Sequence, residues 1–129
     1  FNPKSKNLVI DIMLQQKNVK NKGATMRLGS YGCDISNGTL AKKAYKKNNI
    51  YERHRHRYEV NTNYIDRFKK EGFIYSGMSP DKLLPEILES INHPWFIGVQ
   101  FHPELKSRPH NPHPLFISFI EACINKKNA

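Results

Sequence analysis

His102-Pro103-Glu104 sets an imidazole two residues from a carboxylate. A carboxylate bonded to one ring nitrogen selects a single tautomer and stabilises the imidazolium formed when the other nitrogen takes a proton. This is the base half of a nucleophile–His–acid triad. The alternative is a His and a Glu on a surface loop, since a short motif alone is weak. The thiols available are Cys33 and Cys123. Cys33 lies in Gly32-Cys33-Asp34-Ile35, without the second glycine or the apolar helix of a strand-to-helix nucleophile elbow. It is therefore expected to be a small buried structural residue, and Cys123 to lie on the core face of the last helix. His54, His56, His110 and His113 have no Cys/His cluster of zinc spacing around them, so no metal is expected.

The elements that must position these groups follow from hydrophobic patterning. Trp95 to Phe101 reads as a buried strand bounded by Pro94 and Pro103. Pro103 holds His102 extended, and continued extension would send His102 and Glu104 to the same side. Ile50 to Val60 alternates as a strand, with Tyr51, Arg53, Arg55 and Arg57 on one side and Glu52, His54, His56 and Tyr58 on the other. Arginines in a row are costly to bury without anions, so that side faces solvent, an interface or an anionic ligand.

Further strands are expected at Leu8–Met13, Thr25–Gly29, Phe73–Ser76 and Glu86–Ile91, with a bend or short strand over Ser30–Asp34. Gln15 to Lys22 is polar and reads as a mobile loop. Asn37 or Thr39 can cap a helix through Lys47, and Asn61 one through Lys70 that ends at Gly72. Ser79-Pro80-Asp81 marks a turn. Pro114 to Lys126 carries Leu115, Phe116, Phe119, Ile120, Cys123 and Ile124 at helical spacing.

The chain has 129 residues, which allows one domain with a modest core and shows no internal boundary or repeat. No apolar run is long enough to span a membrane and no signal-peptide pattern is present. Two cysteines suit a reducing compartment. The formal charge of +10 raises a nucleic-acid hypothesis. Its lysine pairs are scattered among asparagines, however, and nucleic-acid binding is not expected.

Three blocks narrow the reading: Gly23-Ala24-Thr25-Met26-Arg27-Leu28-Gly29, Glu52-Arg53-His54-Arg55-His56-Arg57-Tyr58-Glu59-Val60-Asn61, and Gln100-Phe101-His102-Pro103-Glu104. Together with Asn92-His93-Pro94-Trp95-Phe96 and the segment from Pro109 to Phe116, they resemble the carboxyl-terminal part of the class I glutamine amidotransferase domain found in the CTP synthase family. The resemblance covers essentially the whole chain. It implies the α/β three-layer fold of that class, residues 1–129 forming only part of the domain.

The resemblance also implies roles. His102 becomes the general base and Glu104 its orienting acid in glutamine hydrolysis by a cysteine thiolate. Arg57 matches a position that contacts L-glutamine, where a guanidinium suits the substrate α-carboxylate. The nucleophile elbow, the oxyanion-hole glycines and the synthase domain are expected to lie outside these residues, which alone would be inactive. ATP and magnesium are implied at the synthase domain, GTP as activator, a tetramer as assembly and the cytoplasm as location. No role is assigned to Arg53, His54, Arg55, His56 or the Thr25–Gly29 block, and Ala24 stands where the family usually has a glycine. The alternatives are a class I amidotransferase with another acceptor and a basic nucleic-acid-binding module.

Overall fold

A computed structural model describes Asn2, residues 4–12 and residues 26–127. The expected loop over Gln15–Lys22, Met13 and the Gly23-Ala24-Thr25 part of its block lie outside the described residues. Two sheets form, both antiparallel. In the smaller, β1 (Ile10–Ile12) pairs with β4 (Tyr58–Val60). The larger contains β2 (Arg27–Ile35), β3 (Asn49–His56), β5 (Phe73–Met78), β6 (Pro85–Ser90) and β7 (Ile97–Val99), in the order β3-β2-β5-β6-β7.

Helices α1 (Leu40–Tyr45) and α3 (Pro114–Lys127) pack against each other. They lie beside a core of Cys33, Ile35, Ala41, Ile50, Ile87, Phe101 and Leu115. Helix α2 (Ile65–Lys70) packs on β5, with Phe68 edge-on to Phe73 and Tyr75. The α/β expectation holds.

Several expectations are met locally. Thr39 caps α1, its side chain accepting from the Lys42 N–H, and Asn61 caps the 3-10 turn Thr62–Tyr64 that leads into α2. Gly72 follows α2 at φ +80, a conformation L side chains avoid.

Others are corrected. Helix α1 ends at Tyr45 because Lys46 turns left-handed at φ 57. Residues 30–34 are no separate bend or strand; β2 runs unbroken against β3 from Arg27↔His56 to Asp34↔Asn49. The expected strand over residues 50–60 breaks at Arg57. The break reverses the alternation, so Tyr58 is exposed and Glu59 is buried. The strand over Trp95–Phe101 shrinks to a half-buried edge strand, β7. Trp95 instead packs on α3, its indole N–H donating to Ser118 Oγ at 2.8 Å.

The apolar spacing of α3 marks a face but not a buried one. Leu115 is its one buried residue; Phe116, Phe119, Ile120 and Ile124 are 41–55% exposed, and Cys123 is exposed rather than in the core. Periodicity reports which side chains share a side. It does not report whether another element covers them.

Candidate active site

Beyond β7 the chain leaves its partner β6 through the bond from the Gln100 N–H to the Glu86 carbonyl. The next amide but one, His102, donates to the Arg53 carbonyl at 2.8 Å. β3 and β7 are opposite edges of the sheet, so the sheet curls until the residues after one edge bond to the other. Pro103 then opens a 3-10 turn over Pro103–Leu105, with His102 extended at its N-cap. The extended run therefore ends at His102, yet the turn still brings the pair together. His102 Nδ1 lies 2.7 Å from Glu104 Oε1. The bond from His102 holds the Glu104 carboxyl below its usual range. With Nδ1–H committed to the carboxylate, Nε2 is the nitrogen able to accept a proton. Both side chains reach solvent, at 39% and 60% exposure.

Arg57 occupies the break between β3 and β4, half-buried and without a carboxylate partner among the described residues. Two bonds set this break. His56 Nδ1 sits 2.9 Å from the Tyr58 carbonyl, and Glu59 accepts from Gln100 Nε2 at 2.7 Å. The second ties the Arg57 segment to the strand end that carries His102. Arg53 and Arg55 face outward with Tyr51, as the alternation predicts.

The inward side of β3 holds what sequence reasoning left unassigned. Glu52 and His54 are each 1% exposed. Arg27 Nη2 meets Glu86 Oε1 at 2.5 Å, and its Nη1 lies 3.5 Å from Glu59 Oε1. His54 Nδ1 is 2.7 Å from His56 Nε2. Because His56 Nδ1 faces a carbonyl, it must donate there, which leaves its Nε2 to accept from His54 Nδ1–H. His54 Nε2 then presents a lone pair toward Glu86 Oε2, 3.7 Å away. Burial, with Arg27 and His56 adding to it, pushes His54 down to about 3 and keeps it neutral. Burial also pushes Glu86 up to about 7 against the opposing pull of Arg27. The signal was present in the alternation: if the arginines face out, the intervening Glu and His residues face in and need partners.

Cys33 is 1% exposed in the apolar core. Burial first, then Glu86 and Asp34, push its thiol up to about 12, so it is protonated at neutral pH and is a poor nucleophile. Among the described residues no three His, Cys, Asp or Glu side chains are arranged to hold a metal ion. His54 and His56 are spent on each other, while His113 bonds Glu52 at 3.0 Å. No described helix is long and apolar enough to cross a membrane.

Known proteins resemble this chain in sequence and in fold. The family model for glutamine amidotransferase class-I matches residues 7–122. A CTP synthase of Methanosphaera stadtmanae is 61% identical over 119 residues, which are 92% of this chain and 22% of that protein. A CTP synthase of Clostridium kluyveri is 56% identical over 128 residues, 99% of this chain and 24% of that protein. The chain thus spans about a quarter of the length of these relatives. Among solved structures, the glutaminase domain of the Trypanosoma brucei CTP synthase with bound acivicin superposes with a TM-score of 0.88 at 36% identity. The match covers 97% of this chain and 49% of that one. A Thermoplasma acidophilum protein described as a GMP synthase subunit shares the fold, with a TM-score of 0.61 at 14% identity. A family match across nearly the whole chain, and a curled sheet that holds a His–Glu pair at its closing edge, lead to one assignment: the chain belongs to the class I glutamine amidotransferases.

Proposed function

We propose that this chain carries the acid–base half of the glutaminase site of a CTP synthase. The observation that carries the reading is the 2.7 Å bond between His102 Nδ1 and Glu104 Oε1, which leaves Nε2 free to act as a base. In this reading a cysteine thiol gives its proton to His102 as it attacks the side-chain amide of glutamine. His102 returns that proton to the departing ammonia, and a water activated by the same imidazole releases glutamate from the thioester. Glu104 orients the ring and stabilises its charged form. Arg57, without a carboxylate partner among the described residues, pairs with the substrate α-carboxylate.

The nucleophile in this reading lies outside the 129 residues. Cys33 is buried and protonated, and the chain matches about half of the solved glutaminase-domain chain. Residues 1–129 by themselves are accordingly inactive. The ammonia is passed to a synthase domain, where ATP and magnesium activate UTP for conversion to CTP and GTP acts as activator. No described residue is assigned to these nucleotides. The assembly is a homo-oligomer in the cytoplasm.

The test uses the intact polypeptide that contains this domain. Glutamate release coupled to CTP formation from UTP and ATP is expected, with neither activity from residues 1–129 alone. Glutamate release without CTP formation would indicate a class I enzyme with another acceptor. Absence of glutamate release from the intact protein would overturn the reading.

A further inference from the structure

Glu52 lies on β3 beside Arg53, whose carbonyl receives the His102 N–H. It is 1% exposed, and its carboxylate reaches three separate elements. Oε1 accepts from the Tyr45 hydroxyl of α1 and from His113 Nε2, each at 3.0 Å. Oε2 pairs with Lys106 Nζ at 3.3 Å, and the same ammonium donates to the Tyr51 carbonyl at 2.5 Å. Burial disfavours the carboxylate, but the bonds from His113, Lys106 and Tyr45 outweigh it and hold the group below its usual range. It is therefore charged at neutral pH.

These contacts bracket the segment carrying the His–Glu pair. His102, Lys106 and His113 are fastened to Arg53, Tyr51 and Glu52, three consecutive residues of one strand. Within the segment, Leu105 N–H bonds the His102 carbonyl at 3.1 Å, and the Lys106 and Ser107 amides bond the Pro103 carbonyl. Ser107 Oγ accepts from the His113 N–H at 3.1 Å. The Glu104 carboxylate bonds His102 Nδ1 at the start of its own turn, so its placement depends on how firmly this turn is held. We infer that Glu52 is a positioning residue that sets the geometry of the His102–Glu104 pair by clamping residues 102–113 to β3. The inference rests on the glutaminase reading for its consequence, but not for its structural content.

The experiment compares Glu52→Gln with wild type in the intact enzyme, using two readouts. Glutamine-dependent turnover should fall about 10–100-fold, because displacement of a catalytic group by about 1 Å costs rate on this scale. KM for glutamine should stay within about twofold, as Arg57 is untouched, and ammonia-dependent synthesis should be unchanged. Hydrogen exchange should quicken at the His102, Leu105 and Lys106 amides while α2 and β5 keep wild-type protection. Equal loss of both syntheses, or unchanged turnover, would overturn the proposal. If the wild type releases no glutamate, the glutaminase reading fails, and the exchange pattern alone decides on the clamp. Should Glu52→Gln not fold, Lys106→Met cuts only the exposed arm of the clamp and should give the same pattern about 3–10-fold in turnover. Wild-type exchange across residues 102–106 in that variant would equally overturn it.

Discussion

The backbone N–H of His102 donates to the carbonyl of Arg53 at 2.8 Å, although His102 follows one edge strand of the five-stranded sheet, β7, and Arg53 lies on the opposite edge, β3. This bond brings the histidine of the His–Glu pair against β3, the strand that leads into the break at Arg57. Two blocks separated by about a third of the chain thereby become one site. The curl that permits it encloses a polar interior of Arg27, Glu52, His54, Glu59 and Glu86.

Replacing His102 by Ala in the intact enzyme should remove the general base. Glutamine-dependent CTP formation is expected to fall about 100–10,000-fold. Ammonia-dependent formation should persist, since amination takes place in another domain. Glu104→Ala should be milder, because the imidazole remains and loses only its orientation. Side-by-side rates with glutamine and with ammonia make the comparison; loss of both would mean His102 supports the fold instead.

Arg57→Ala should raise the glutamine requirement while sparing ammonia-dependent synthesis. A charged hydrogen bond to a carboxylate is worth about 1.5–3 kcal/mol, which corresponds to one to two decades in KM. An equal fall in both activities would mark Arg57 as a structural residue of the β3–β4 break.

Cys33 should behave as core. A thiol reagent applied to the native chain should leave it unlabelled until denaturant is added, since its pKa is raised to about 12 by burial. Cys33→Ser should cost about 1–3 kcal/mol of stability by burying an unsatisfied hydroxyl, with glutamine hydrolysis retained in the intact enzyme. Gly77→Ala should destabilise the same spot, because a Cβ there would stand 2.6 Å from Ile87 Cγ1 and 2.8 Å from Cys33 Sγ.

The buried network predicts two opposed pH dependences. Glu86 is raised from the ordinary 4.5 to about 7, so the folded state binds the extra proton between those values. Its contribution to stability is fully present below pH 4.5 and is lost as pH rises through 7. His54 is depressed from 6.5 to about 3, so its contribution is present above pH 6.5 and is lost as pH falls through 3. Between pH 4.5 and 6.5 the two slopes oppose each other. Denaturant midpoints measured across that window should therefore be flatter in wild type than in variants. Glu86→Gln should lose stability as pH falls below 6.5, while His54→Gln should gain it as pH falls from 7 toward 4.5. Parallel profiles for both variants and wild type would contradict this account.

Local chemistry was sufficient for much of the chain. Thr39 and Asn61 announce caps because short oxygen-bearing side chains satisfy free amides, and Gly72 marks a helix end because it accepts positive φ. The outward arginines of β3 follow from the cost of burying unpaired charge. His102 and Glu104 could be paired on paper because they are two residues apart. What the sequence could not decide involves partners distant along the chain or not covering a face at all. The Arg27–Glu86 pair spans 59 residues, and the Glu52–His113 bond 61. The break at Arg57 that buries Glu59 instead of Tyr58 depends on Gln100 and Arg27 being there to meet the carboxylate. The α3 stripe has helical spacing whether or not anything lies against it, and only packing leaves Phe119 and Ile120 exposed. Period and propensity act over a few residues. The curl of the sheet sums twist across five strands, and that sum is what carries His102 to Arg53.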